Sequence, residues 1–523
     1  MPAAVSLDDK YRRARGRVFM TGVQALVRLP MLQHQRDRAA GLNTAGYVSG
    51  YRGSPLAALD SALFAGRPHL QSHDVDFHPA VNEDLAATAI WGTQQLHLLP
   101  GAKRDGIFAL WYGKGPGVDR CGDVFRHANH AGTSKHGGVL LVAGDDHSAR
   151  SSAVAHQSEH IFAACAIPVL APADLQDVLD LGLHGWAMSR WSGCWVAMKT
   201  TADVVESSAT VEIDPQRVQV ALPEDFVLPA DGVHIRWPDP QLAQERRMQE
   251  FKVYAALAYA RANGLNRLVW DSPRPRLGII ACGKAWLDLR QALHELGIDE
   301  RTARDIGLRL YKVGMAWPLE ADGVRHFAEG LEEILVVEEK RQIIEYQLKE
   351  QLYNWREDVR PRVLGKFDES GEWPAPHGGW LLPPVAELTP ALVARAIAAR
   401  LARLHSSEPI RRHLAFLDAA EQAPVAAAPR TPYFCAGCPH NRSTRVPEGS
   451  CALGGVGCHL MATWMGRDTV TISQMGGEGA TWLGMAAHSG TAHVFANMGD
   501  GTYYHSGLLA IRAAVAAGVD ITY

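Results

Sequence analysis

Short apolar runs rich in β-branched residues, each closed by glycine or a polar turn, recur along the chain and fix the class of fold open to it. They include residues 107–112, 139–143, 195–198, 277–281, 334–337 and 494–496. Continuous apolar runs of this length read as strands buried on both faces. Alanine- and leucine-rich stretches of helical spacing lie between them, among them 83–98, 284–296 and 390–404. Strand alternating with helix predicts βαβ units, and so an α/β protein of several parallel-sheet domains. No fixed-period repeat of the solenoid kind interrupts the pattern.

The 523 residues have room for three or four domains of about 150 residues each. Between 204 and 250 the strands give way to polar sequence broken by Pro223, Pro229, Pro238 and Pro240. The stretch that ends in APVAAAPRTP reads as a semi-rigid linker. The expected domains are therefore 1–205, 206–405 and 431–523, with 406–430 as the linker. The third holds half of a βαβ arrangement and stops as a buried strand opens, which reads as a domain cut short.

Charge narrows the partners. Lys and Arg number 52 against 56 Asp and Glu, a net charge of −4, and no polybasic block exists, so nucleic acid is not an expected partner. No apolar run reaches the roughly 18–20 residues of a membrane helix. The first twenty residues lack the apolar core of a secretion signal, so the expectation is a soluble, cytoplasmic protein. Eight cysteines are too few for a disulfide framework at this length.

The chemistry concentrates near the C-terminus. Fifteen of the 49 glycines lie in 431–523, and four of the eight cysteines lie in 435–458. Gly499-Asp500-Gly501 follows an apolar strand and precedes a helical run. Glycines beside a strand-end aspartate let the backbone approach a diphosphate, and the carboxylate offers a hard oxygen to Mg²⁺. A plain strand-to-helix turn has the same tripeptide. Some twenty residues upstream, Gly476 and Gly477 belong to a second glycine-rich loop, QMGGEGA. Cys435, Cys438, Cys451 and Cys458 are spaced C-x2-C-x12-C-x6-C. Such thiolates suit Zn²⁺ or a [4Fe–4S] cluster, although the spacing matches neither a zinc ribbon nor a ferredoxin. Cys451 reads equally well as a buried, unligated thiol.

Three N-terminal features complete the set. A tight turn, Gly50-Tyr51-Arg52-Gly53-Ser54-Pro55, follows an apolar run. Glu83 opens an alanine-rich helix, where acidic residues usually complement the helix dipole. A polar cluster runs from Asp145, Asp146 and His147 through Ser151 and Ser152 to His156, Ser158, Glu159 and His160. Its spacing specifies no reaction.

Together these residues resemble the indolepyruvate ferredoxin oxidoreductase family of thiamine-diphosphate-dependent 2-oxoacid oxidoreductases, and the long fused bacterial members in particular. The resemblance is carried by AGYVSGYRGSPL (45–56), FHPAVNEDLAATAIWGTQQ (77–95), the run from 112 to 152, CAGCPHNRST (435–444), GVGCH (455–459) and QMGGEGATWLG…NMGDGTYYHSG (474–507). It implies a pyrimidine-binding domain, a transketolase C-terminal-like domain and the start of a diphosphate-binding domain, in that order. It implies thiamine diphosphate, Mg²⁺ and a [4Fe–4S] cluster as cofactors and coenzyme A as cosubstrate. Ferredoxin or another acceptor would take the electrons, and a homodimer would be the minimal assembly.

The resemblance also implies roles. Glu83 would hydrogen-bond the aminopyrimidine and drive deprotonation of the thiazolium carbon. Asp500 would ligate Mg²⁺, with Gly476, Gly477, Gly499 and Gly501 against the diphosphate. Ser54 would contact the 2-oxoacid, and Arg52 is a candidate for its carboxylate. Cys435, Cys438 and Cys458 would hold the cluster, with Cys451 a possible fourth ligand. The family's metal-binding asparagine falls beyond the residues given. The implied activity is oxidative decarboxylation of indolepyruvate or another arylpyruvate to an acyl-CoA and CO₂. A non-redox thiamine-diphosphate lyase or ligase, and an inert fragment serving as an assembly module, remain as alternatives.

Overall fold

A computed structural model describes residues 5–371, 379–422 and 431–523. The chain divides into two compact units, 1–422 and 423–523. All six expected strands form, and the three expected helices occupy Glu83–Gln94, Gly283–Glu295 and Pro390–Leu401. Among the described residues no helix is long and apolar enough to cross a membrane.

The first unit holds two large sheets. The seven-stranded sheet runs Met315–Trp317, Val169–Leu170, Val196–Thr201, Val139–Asp145, Gly106–Lys114, Thr44–Gly50 and Val75–Phe77. Six of its strands are parallel, and Met315–Trp317 pairs antiparallel at one edge. Every residue of Val139–Asp145 is buried, as continuous apolar strands under two helical layers require. The five-stranded sheet runs Arg362–Leu364, Glu333–Val337, Leu277–Cys282, Leu308–Val313 and Arg267–Trp270.

Two findings redraw the expected organisation. Ser208–Ile213, in the stretch expected to lack strands, is a strand paired antiparallel with Gly16–Thr21. The boundary drawn at 205 therefore cuts a sheet, and Met315–Trp317 crosses it again from the other side. The expected linker 406–430 instead holds a helix, Glu408–Glu421, and its remainder from 423 on lies outside the described residues. Pro409 sits in the first turn of that helix, where a missing N–H costs nothing, and Ile410 and Leu417 are buried against the core around the five-stranded sheet.

The second unit is a smaller parallel sheet ordered Thr469–Ile472, Ala452–Gly454, Val494–Ala496, Ile521–Thr522. Its core is a modest cluster of Leu453, Trp482 and Val494.

In each of the three sheets two adjacent parallel strands send their connections in opposite directions. The pairs are Thr44–Gly50 with Gly106–Lys114, Leu277–Cys282 with Glu333–Val337, and Ala452–Gly454 with Val494–Ala496. At such switch points the loops part and leave a crevice beyond the carboxyl ends of the strands, where open α/β sheets bind their ligands.

Candidate functional site

The crevice of the seven-stranded sheet gathers three loops. The turn 51–56 leaves one strand, Lys114 ends the next, and Glu83 starts the helix Glu83–Gln94. Asn82 caps that helix, its side-chain oxygen accepting the Leu85 N–H at 3.1 Å. The Trp111 indole N–H donates to the Glu83 carbonyl at 3.0 Å, tying the helix start to the strand Gly106–Lys114. The Glu83 side chain is buried. Gly117 lies against it and leaves no space for a methyl group. A carboxyl group held in a dry wall beside a switch point can bind a ring nitrogen and trade a proton with it.

The turn 51–56 packs against the ends of the strands Gly106–Lys114 and Val139–Asp145. A Cβ on Gly53 would lie 3.1 Å from the Lys114 Cβ, and one on Gly144 would lie 3.1 Å from the Pro55 Cδ. Ser54 is half-buried in this turn and Arg52 is exposed.

Two further residues line the crevice: Lys114, which was not singled out in the sequence, and His156, noted there only within the polar cluster. Lys114 donates to the Ser151 carbonyl at 2.5 Å and lies 3.9 Å from Asp146. Burial lowers its ammonium pKa, and Asp146 opposes the shift. His156 lies over Gly115, where a Cβ would overlap its ring. Its Nε2 is 3.5 Å from Asp119, and its buried Nδ1 has no hydrogen-bond partner among the described residues. A lysine closing a buried apolar strand just before Gly115-Pro116-Gly117 is the clue that was there to read.

In the second unit the corresponding crevice collects three loops at the carboxyl ends of its strands. These are 455–459, 473–479 and 497–501. Asp500 is exposed and begins a short helix behind Gly499. Gly476 has φ +90°, a conformation side chains resist, and its N–H donates to Glu478 Oε2 at 2.7 Å. Glu478 and His459 are both fully buried, with Oε1 3.4 Å from Nε2. A Cβ on Gly455 would overlap the Glu478 carboxyl group. Glu478 thus fastens the glycine-rich loop to 455–459, a role hidden among the glycines of QMGGEG. His440 is pushed down by burial and by His459, while the Asp500 carboxylate acts the other way. A hard carboxylate between close-approaching backbone loops fits a metal-bridged diphosphate.

The cysteines divide. The turn at Cys435 and Cys438 and the turn at Cys458 meet through His440 and His459, whose rings are 6.0 Å apart. Cys451 lies at the amino end of the strand Ala452–Gly454, and Cys458 follows the loop beyond its carboxyl end. Cys451 instead packs, partly buried, on the small core of Leu453, Trp482 and Val494. Among the described residues no group of three or more His, Cys, Asp or Glu side chains is placed to hold a metal ion. As placed, the four thiols are not one ligand set, and Cys451 stands apart from the other three.

Comparison with known proteins adds the family. Residues 266–427 match the model for the indolepyruvate ferredoxin oxidoreductase middle domain. The chain is similar to the indolepyruvate oxidoreductase subunit IorA of Methanothermobacter marburgensis, 26% identical over 531 residues, which cover 98% of this chain and 75% of that protein. The IorA subunit of Pyrococcus abyssi is 24% identical, with 95% and 72% covered. Among solved structures, the 2-oxoglutarate:ferredoxin oxidoreductase of Magnetococcus marinus, with 2-oxoglutarate, coenzyme A and succinyl-CoA bound, superposes with a TM-score of 0.49. It is 14% identical, with 74% of this chain and 65% of that chain covered.

Proposed function

Because the chain belongs to the indolepyruvate ferredoxin oxidoreductase family and is an oxidoreductase, we propose that it oxidatively decarboxylates a 2-oxoacid of the arylpyruvate class. Coenzyme A would accept the acyl group, and ferredoxin or another carrier would accept the electrons. The observation that carries this reading is the buried Glu83 carboxyl group, held at a helix start beside a switch-point crevice with Gly117 against it.

Thiamine diphosphate, when bound, supplies a carbon nucleophile for the keto group and a place for the electrons left when CO₂ departs. The chain's own residues do the rest. Glu83 would hold a proton at the aminopyrimidine ring, and its enclosure keeps that proton from bulk water. Lys114 and Arg52 offer cations to the substrate carboxylate, and the Ser54 hydroxyl a hydrogen bond that orients it. In the second unit Asp500 would bind Mg²⁺, and the loops at Gly476, Gly477, Gly499 and Gly501 would admit the diphosphate.

Cys435, Cys438 and Cys458 remain the proposed ligands of a [4Fe–4S] cluster, supported by the meeting of their two turns through His440 and His459. The dispersed thiols favour one competing reading, a non-redox thiamine-diphosphate lyase. The relatives' designation as subunits supports a partner subunit, and a homodimer is proposed with it.

An anaerobic assay of the full protein against a panel of 2-oxoacids decides between these readings. Thiamine-dependent reduction of an electron acceptor by an arylpyruvate is the expected result. Release of CO₂ with no acceptor reduced would establish the lyase, and no reaction with any 2-oxoacid would overturn both.

A further inference from the structure

The polar cluster that starts at Asp145 has no assigned step in the chemistry above, yet it forms a densely bonded turn. The Asp146 carboxylate accepts from the Arg150 N–H at 2.9 Å, the Ser151 N–H at 2.8 Å and the Ser152 hydroxyl at 2.8 Å. On one side this turn holds Lys114 through the Ser151 carbonyl and Asp146 itself.

Its other side is gripped from the five-stranded sheet. Lys340, three residues beyond the strand Glu333–Val337, donates from Nζ to the His147 carbonyl at 2.8 Å. Glu339 Oε2 lies 3.8 Å from His147 Nδ1, and Glu387 pairs with Arg150 at 2.8 Å. His147 is 1% exposed, so losing the Lys340 bond leaves a carbonyl in a largely buried residue short of a partner. Beside it, the carboxyl ends of the two sheets enclose a cavity of about 20 Å³ lined by His147, Lys199, Lys284 and Glu339. Space for about one water leaves the turn little freedom to settle elsewhere.

We propose that Lys340 is a positioning residue for the substrate crevice: by holding the His147 carbonyl it fixes the 146–152 turn, and through Ser151 it fixes the Lys114 ammonium. The middle domain would then act on the substrate without touching it. The inference rests on the reading of the Lys114 crevice as the place of the 2-oxoacid carboxylate.

The test is a double-mutant cycle in the full enzyme, with KM and kcat for the preferred 2-oxoacid as readouts. Lys340→Met is expected to raise KM roughly tenfold with kcat nearly unchanged, as loss of uniform binding does. Lys340→Arg should recover most of that loss. Lys114→Met should raise KM at least as far, and the double variant no further than Lys114→Met alone, because both act through one ammonium. Hydrogen exchange should quicken in 146–152 in Lys340→Met; Lys340→Gln replaces it if the methionine variant does not fold.

An unchanged KM in Lys340→Met, or full multiplication of the two effects in the double variant, would overturn the positioning role. An unchanged KM in Lys114→Met has a different meaning: the crevice reading fails, and the inference falls with it.

Discussion

Gly117 and Glu83 meet so closely that neither can change size alone: a Cβ on Gly117 would lie 2.5 Å from the Glu83 Cγ and 2.8 Å from its Oε1. Gly117→Ala must therefore move the carboxyl group or the helix Gly115–Arg120 that carries the glycine. The expected cost is about 1–3 kcal/mol of stability, typical of overpacking, with turnover falling further than stability explains. Thermal unfolding and turnover measured on the same preparation check this. Full activity in a destabilised protein would show that Glu83 needs no fixed place.

Glu83→Gln keeps the shape of the site and removes the carboxyl group that can give and take a proton. Turnover should fall roughly 10²–10⁴-fold, the usual worth of positioned acid–base catalysis. Calorimetry should find thiamine diphosphate affinity largely kept. Unchanged turnover would return Glu83 to a helix-start residue.

Asp500→Ala removes the proposed magnesium ligand from a loop that already stands exposed. Cofactor affinity in the presence of Mg²⁺ should weaken roughly tenfold or more, about 1.4 kcal/mol or above. The difference between Mg²⁺ and chelator should shrink with it. A variant that keeps both would make Asp500 an ordinary turn residue.

The cysteines give a fourth expectation. Anaerobically purified protein should lose iron and its dithionite-bleached visible absorbance in Cys438→Ala and keep both in Cys451→Ala, because Cys451 lies at the far end of its strand. A colourless wild-type protein with stoichiometric zinc would end the redox reading.

Much of this was legible in the sequence, and the exceptions share a cause. Strands such as Val139–Asp145 announce themselves because burial on both faces demands an unbroken apolar run. Ser208–Ile213 does not, since it is half-exposed and its partner lies some 190 residues away, which no local pattern encodes. The stretch 406–430 reads as a linker in sequence, yet it holds a helix with Pro409 in its first turn. Glu83 stood out through its motif, and the structure buries it at the start of a helix. Lys114, Glu478 and His459 did not stand out, because each draws its meaning from a neighbour on another loop.

A fifth expectation concerns pH. Burial pushes the Glu338 carboxyl up to about 7, against three backbone N–H donors at Ile343, Ile344 and Glu345, and pushes Asp288 up to about 6 despite its bond to Lys284. Both carboxyls bind a proton more tightly folded than unfolded. They contribute stability at acid pH that is lost as pH rises from the usual carboxyl range toward 7. Burial lowers Lys366 to about 8, so stability should rise again above that pH, up to the ordinary lysine range. Denaturant titrations across this range should show the dip, and Glu338→Gln should make its acid side shallower. A flat profile would mean that these groups are hydrated in solution.

The antiparallel strand Met315–Trp317 has a consequence for anyone who would recombine such proteins. It closes the edge of the seven-stranded sheet with residues that lie inside the middle domain by sequence. A chimera that exchanges 206–405 for a foreign counterpart would leave Val169–Leu170 as a bare edge, open to any passing strand. Crossovers in this chain should follow hydrogen-bond ladders, and the natural cassette is the whole of 1–422.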